Sequence, residues 1–120
     1  MTMDAEEYRT ICTRPDVIRR PVIEATVRRL SSNHADLIGP LKELLTRGPV
    51  PKPPLHHAGS HSDYFLVDLA PDQLEEIVNA LGDLEAGLAT GAHGSTAELD
   101  YTGQLLDTWN RAWQFRRDAA

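Results

Sequence analysis

The sequence has only one cysteine, Cys12, in 120 residues, so no disulfide can form within the chain. None of its asparagines is followed by the x-Ser/Thr that an N-linked glycan requires. Both absences favour a reducing compartment. The N-terminal residues MTMDAEEYRTIC carry acidic side chains where a signal peptide has a basic region and then an apolar one. We therefore expect a cytoplasmic protein.

Long apolar runs are also missing, because no segment approaches the ~20 apolar residues that a transmembrane helix needs. A membrane partner is accordingly not expected. The length of 120 residues and the hydrophobic content of 41% suit one domain, residues 1–120, built around a single core. A chain of this size should bury roughly two-thirds of the surface that its unfolded form exposes.

Basic residues are absent from one long segment, residues 63–108, which holds ten acidic side chains and no Lys or Arg. The first 48 residues carry eight basic and seven acidic side chains, so the net charge of −6 arises later in the chain. A concentrated negative charge repels nucleic acids and anionic membranes, and it attracts basic protein surfaces or cations. The sequence therefore predicts another protein with a basic surface as the partner, and no nucleic acid.

The N-terminal part, residues 1–48, has the apolar spacing of three short helices. A turn over 16–20 leads into Pro21, which suits the first position of the second helix because its missing N–H would be unpaired there. In the third helix Pro40 removes one backbone hydrogen bond, so we expect a kink or a break near Gly39.

The middle of the chain predicts a loop and then a strand. Residues 49–62 contain four prolines and three histidines and cannot form a helix or a central strand. Residues 63–69, DYFLVDL, have the β-branched and aromatic content of a short strand. Because a lone strand leaves its backbone groups unpaired, this segment must pair with the loop around Val50, pair with a second copy of the chain, or lie extended on the helices.

Two long helices are predicted to follow, over 71–90 and 95–117. Pro71 opens the first helix, in which Leu74, Ile77, Val78, Leu81, Leu84 and Leu88 recur at helical spacing. Ser95-x-x-Glu98 is a capping box for the second helix, and its predicted buried stripe is Leu99, Leu106, Trp109 and Trp113. The fold class is thus mainly α, a small bundle of four or five helices with at most one short β-strand pair.

The loop offers one candidate metal site. His57, His61 and Asp63 could converge across the turn at Gly59, whereas His56 points the opposite way in an extended chain. Three such ligands with an open fourth position would suit catalytic zinc. Zinc ligands are normally oriented by further hydrogen bonds from packed elements, and the sequence indicates none here. We therefore favour solvated histidines and no cofactor, with a metal-binding protein or metal-dependent hydrolase as the alternative.

The acidic region 63–108 supports the leading hypothesis, a small non-enzymatic protein-interaction module that binds a basic partner through this region. A sharper form is an inhibitor of the immunity-protein or antitoxin type, whose carboxylates occupy the basic groove of a nuclease-like target. Acids outside the segment, such as Glu6, Glu7 and Asp36, are expected to contribute little. A further alternative is a structural homo-oligomer, such as a dimer paired through residues 63–69. The candidate partner-binding residues are Asp72, Glu75, Glu76, Asp83 and Glu85.

Overall fold

The computed structural model describes residues 5–51, 63–91 and 96–119, and these ranges hold five helices and one two-stranded antiparallel sheet. The mainly α fold with two long C-terminal helices and one small pair of strands, as predicted, is confirmed. None of the described helices is both long enough and apolar enough to cross a membrane. In chain order the elements are α1 (Ala5–Cys12), β1 (Val17–Arg19), α2 (Arg20–Leu30), α3 (Ala35–Arg47), β2 (Tyr64–Leu66), α4 (Pro71–Thr90) and α5 (Thr96–Ala119).

Helices α4 and α5 make the most extensive contact between elements of the fold. They have 20 and 24 residues, hence lengths of about 30 and 36 Å. Pro71 is the first residue of α4, as predicted, and the side chain of Gln73 accepts a hydrogen bond from the N–H of Ala70 at 3.0 Å. Because α5 begins six positions after α4 ends and packs along it, the two helices are antiparallel.

The buried stripe of α5 differs from the prediction. Its buried residues are Thr102, Leu105, Trp109 and Ala112, of which only Trp109 was expected. Leu99, Leu106 and Trp113 are only partly buried. The predicted stripe relied on large apolar side chains, whereas two of the residues that face the core are a threonine and an alanine. Ser95 lies outside the described residues, and Glu98 accepts a hydrogen bond from Arg29 Nη2 at 3.1 Å.

Trp109 joins α5 to α2 through a buried hydrogen-bonded pair. The Trp109 side chain is fully buried, and its Nε1–H donates to Thr26 Oγ1 at 2.9 Å. The Thr26 hydroxyl in turn donates to the carbonyl of Val22 at 2.8 Å, so the indole N–H is satisfied without water. Thr102 is also fully buried, but its hydroxyl has no hydrogen-bond partner among the described residues.

We expect a Thr→Val substitution to change the free energy of unfolding in different ways at these two positions. Thr26→Val should lower the free energy of unfolding by about 1 to 3 kcal/mol, because it leaves the indole N–H buried and unpaired. Thr102→Val should be neutral or slightly stabilising, because it removes a buried hydroxyl that makes no hydrogen bond. Denaturant unfolding measures both, and Thr26→Ser, which keeps the hydroxyl, is the control. Equal destabilisation by the two valines would contradict the hydrogen-bond assignment.

The sheet pairs β1 with β2 in the register Val17↔Leu66, Ile18↔Phe65 and Arg19↔Tyr64. The main strand partner is thus within residues 16–20, where the sequence indicated only a turn. Pairing with the Pro-rich segment, one of the three alternatives, amounts among the described residues to one hydrogen bond on the other edge, from the N–H of Val50 to the carbonyl of Tyr64 at 2.8 Å. The sequence did not indicate β1 as a strand because three residues are too few to show the alternation, with a period of two, that identifies a strand.

Burial along residues 64–69 alternates as a strand requires, although β2 itself ends at Leu66. Phe65, Val67 and Leu69 are buried, whereas Leu66 and Asp68 are exposed.

Helix α3 runs from Ala35 to Arg47 without a break, so of the kink or break expected near Gly39 the break does not occur. Pro40 is the sixth residue of this helix, and it removes only the single hydrogen bond that its own N–H would have donated. The buried residues Ile38, Leu41 and Leu44 hold the helix against the core on both sides of the proline.

A fully buried carboxylate, Asp16, ties the start of β1 to the end of α5. Arg14 donates to it through Nε at 3.0 Å and through Nη2 at 2.8 Å, and Arg116 Nη1 lies 3.5 Å from the same carboxylate. The Asp16 carbonyl also accepts a hydrogen bond from the N–H of Val67 at 2.8 Å. Arg14 packs over the ring of Phe115, with 5.3 Å from the guanidinium carbon to the ring centroid.

Candidate functional site

Three of the five predicted partner-binding residues form a stripe along α4. Asp72, Glu76 and Asp83 are separated by four and seven positions, so at about 100° per residue they lie on one side of the helix. All three side chains are exposed. Glu75 is exposed as well, about 60° around the helix from Asp72. The name acidic stripe is used below for Asp72, Glu76 and Asp83.

Glu85, the fifth predicted residue, lies apart from the acidic stripe. It is on the opposite side of α4, partly buried, and its Oε2 lies 2.9 Å from the position that a Cβ atom on Gly103 of α5 would occupy. Gly103 leaves room for the carboxylate in this position, and a side chain there would have to displace the flexible end of Glu85. Glu85 therefore belongs to the contact between the two long helices, where a partner has less access to it.

Four of the five acidic residues at the ends of the 63–108 segment form ion pairs with arginines, whereas Asp100 has none among the described residues. Arg47 bonds to both oxygens of Asp68, at 2.6 and 3.1 Å, and these hydrogen bonds lower the pKa of the Asp68 carboxyl. The charge of the paired residues is therefore locally neutralised. The ion pairs are Asp63 with Arg19 at 2.9 Å, Asp68 with Arg47 at 2.6 Å, Glu98 with Arg29 at 3.1 Å and Asp107 with Arg111 at 3.0 Å.

The carboxylates of α4 differ from those at the ends of the segment. Within residues 5–51, 63–91 and 96–119, no Lys or Arg nitrogen comes within 4.0 Å of them. Among the described residues, the negative charge of the segment is thus mostly paired with arginines at the ends, where only Asp100 has no ion pair, and has no Lys or Arg partner along α4. The unpaired α4 residues are Asp72, Glu75, Glu76, Asp83 and Glu85.

A groove runs beside the acidic stripe, between α4 and the residues that connect α2 to α3. One part has a volume of about 240 Å³ and an acidic lining of Asp36, Glu76 and Asp83. The other part, about 310 Å³, has an apolar lining that includes Leu30, Leu84 and Leu88. The two parts adjoin each other, since His34, Ala80 and Asp83 line both. This feature is called the α4 groove below.

Asp36 is the residue of this site that sequence reasoning missed. The sequence places it outside the acidic segment, and we expected its contribution to be small, as for Glu6 and Glu7. In the structure it lines the α4 groove together with Glu76 and Asp83. Its position depends on how the start of α3 lies against α4, and no local pattern in the sequence encodes that packing.

The predicted zinc site lies mostly outside the described residues, since His56, His57 and His61 are not among them. Asp63 is described, and its Oδ2 accepts hydrogen bonds from Arg19 Nε at 3.2 Å and Nη2 at 2.9 Å. Within the described ranges, no group of three His, Cys, Asp or Glu side chains is arranged to hold a metal ion.

Cys12 does not have the environment of an activated nucleophile. Burial raises the pKa of its thiol, and the nearby Asp63 carboxylate raises it further, while a hydrogen bond with Tyr8 acts in the opposite direction. A raised pKa keeps the thiol protonated near neutral pH, so the reactive thiolate is scarce.

Comparison of the chain with protein-family models, with curated proteins and with solved structures found no match.

Proposed function

We propose that this chain is a protein-interaction module that binds a basic surface of another protein through the acidic stripe and the neighbouring Glu75. The observation that carries the proposal is the sorting of charge. Arginines pair with four of the five acidic residues at the ends of the 63–108 segment, whereas none of the five α4 carboxylates has a Lys or Arg partner among the described residues. A solvent-exposed field of one sign steers an oppositely charged partner to the surface.

The packing of α4 makes its carboxylates a favourable recognition element. The helix is anchored in the core by fully buried residues such as Leu74 and Leu81, so the spacing of the stripe is set before binding. A rigid site avoids the entropic cost of ordering a loop on association. The stripe carboxylates also have no described internal ion pair to break when a partner arrives.

In its sharper form, the module is an inhibitor of the immunity-protein or antitoxin type. Its carboxylates would occupy the basic groove with which a nuclease-like target binds phosphates. Such a target would supply the positive field that the acidic stripe complements, and steering would make the association fast. The sign and the clustering of the charges support this form.

The test is the rate of association with the partner recovered by affinity capture on the intact chain. The triple change Asp72→Asn, Glu76→Gln and Asp83→Asn should slow association about tenfold at low salt, and the difference should shrink at high salt as screening increases. These positions are exposed, so the free energy of unfolding should stay within about 0.5 kcal/mol of the unmodified chain.

The control is Asp100→Asn together with Glu6→Gln. Asp100 is exposed and belongs to the same acidic segment, but it lies on α5, and Glu6 lies on α1. The control should leave the association rate unchanged within about twofold. An association rate that changes neither with the salt concentration nor with the triple change would refute the proposal.

A further inference from the structure

The apolar part of the α4 groove has room for a side chain that the protein does not supply. Its volume of about 310 Å³ is roughly twice the ~150 Å³ of an engineered cavity that takes up benzene. Leu84 and Leu88 lie one helical turn apart on its α4 wall and are only partly buried. Gly87 widens the groove, since a Cβ atom built on it would have no atom within 4 Å.

The charge that the groove offers to a ligand is negative. Asp36, Glu76 and Asp83 line it, and none of them has an Arg or Lys partner among the described residues. Arg29 is the only Arg or Lys among the described residues of the lining, but its Nη2 lies 3.1 Å from Glu98 and its guanidinium carbon lies 4.5 Å above the centre of the Tyr101 ring. The Nη2 end of the guanidinium is thus already paired and its plane is stacked, while its buried Nε has no hydrogen-bond partner among the described residues.

The length of the groove suits a helix. Its lining on α4 extends from Glu76 to Leu88, which is about 18 Å, or somewhat more than three helical turns. A single ion or a small molecule would fill only a fraction of that length. An amphipathic helix laid in a groove uses apolar anchors at positions such as i, i+4 and i+7 and keeps its charged residues at the rim.

We propose that the α4 groove docks a basic amphipathic helix of the partner protein. An apolar side chain of that helix sits between Leu84 and Leu88, and a Lys or Arg one or two turns along pairs with Asp36, Glu76 and Asp83. The inference rests on the proposed function, since it specifies how the basic partner is recognised. It adds Asp36 and an apolar contact, neither of which is part of the acidic stripe.

The test uses two synthetic helical peptides with the same number of lysines. One carries leucines at i, i+4 and i+7, and the other carries alanines at these positions. Affinities are measured by fluorescence anisotropy, and chemical-shift changes of the ¹⁵N-labelled protein locate the contact. The leucine peptide should bind at least tenfold more tightly than the alanine peptide, with shifts at Ala80, Leu84 and Gly87.

Two variants, Gly87→Leu and Asp36→Asn, distinguish binding in the α4 groove from binding by the acidic stripe alone. Gly87→Leu fills the apolar part from a helical position with open space, so it should weaken the leucine peptide about tenfold and leave the alanine peptide unchanged. Gly82→Leu is the matched control, because Gly82 also has open space but does not line the groove. Asp36→Asn, which adds no bulk, should weaken both peptides.

Three outcomes are decisive. Tight binding of the leucine peptide, lost on Gly87→Leu and kept on Gly82→Leu, supports the groove. Equal affinity of both peptides, reduced by the triple change of the acidic stripe but not by Asp36→Asn or Gly87→Leu, overturns the groove and leaves the proposed function standing. Binding of neither peptide at low salt overturns both.

Discussion

Leu81→Ala is expected to lower the free energy of unfolding by about 2 to 5 kcal/mol. Leu81 is fully buried near the middle of α4, in the same core cluster as Trp109 and Phe65. Shortening the side chain forfeits its transfer free energy and leaves a cavity that the packed helices can close only in part. Alanine is the best helix former, so a loss of helix propensity cannot explain the effect.

The size of this effect is large against the total stability of a small domain, which is typically about 5 to 15 kcal/mol. Glu75→Gln, on the same helix but exposed, should change the stability by less than about 0.5 kcal/mol. Chemical denaturation of the two variants and the unmodified chain measures both values. If both substitutions shift the midpoint equally, α4 does not contribute the core face assigned to it.

Arg14→Met is expected to lower the free energy of unfolding by about 3 kcal/mol, because it leaves the buried Asp16 carboxylate without its two-bond partner. Arg116 remains, but its Nη1 is 3.5 Å from the carboxylate and compensates only in part. Methionine keeps much of the apolar stem that packs on Phe115, so most of the loss is electrostatic. Thermal or denaturant unfolding at neutral pH measures the change.

A matched control is Arg19→Met, which breaks the pair with Asp63. Both side chains of that pair are partly exposed, at 59% and 35%, so the cost should stay below about 1 kcal/mol. A double-mutant cycle adds a further check. Asp16→Asn removes the buried charge, so Arg14→Met combined with it should cost less than the sum of the two single changes. Strict additivity would show that the two side chains do not interact.

Local chemistry was enough to predict the two long helices. Pro71 begins α4 as expected, and the apolar spacing of Leu74, Ile77 and Leu81 assigned the buried side of that helix. The burial of Phe65, Val67 and Leu69 likewise follows the alternation that is expected of the strand predicted over 63–69. These features follow from the helical period of 3.6 and the strand period of 2, which are properties of the backbone.

The errors arise where distant parts of the chain decide the outcome. The residues of β1 acquire strand geometry by pairing with a segment more than forty positions away. Thr102 and Ala112 are buried residues of α5 although neither is strongly hydrophobic, so the side of α5 that faces the core depends on how the helix packs against the rest of the fold. Helix α3 continues through Pro40 because core contacts before and after the proline hold it.

The candidate site also has some features that the sequence determined and others that depend on the tertiary structure. The sequence alone determined that residues 63–108 are acidic and that α4 carries Asp72, Glu76 and Asp83 at helical spacing, because composition and period are local properties. Only the tertiary structure decided which charges stay uncompensated, since Arg19, Arg29 and Arg47 reach their partners from other elements. It also decided that Asp36 joins the groove and that Glu85 turns toward α5. Ion pairs and grooves form between side chains far apart along the chain, so their arrangement depends on how the helices pack.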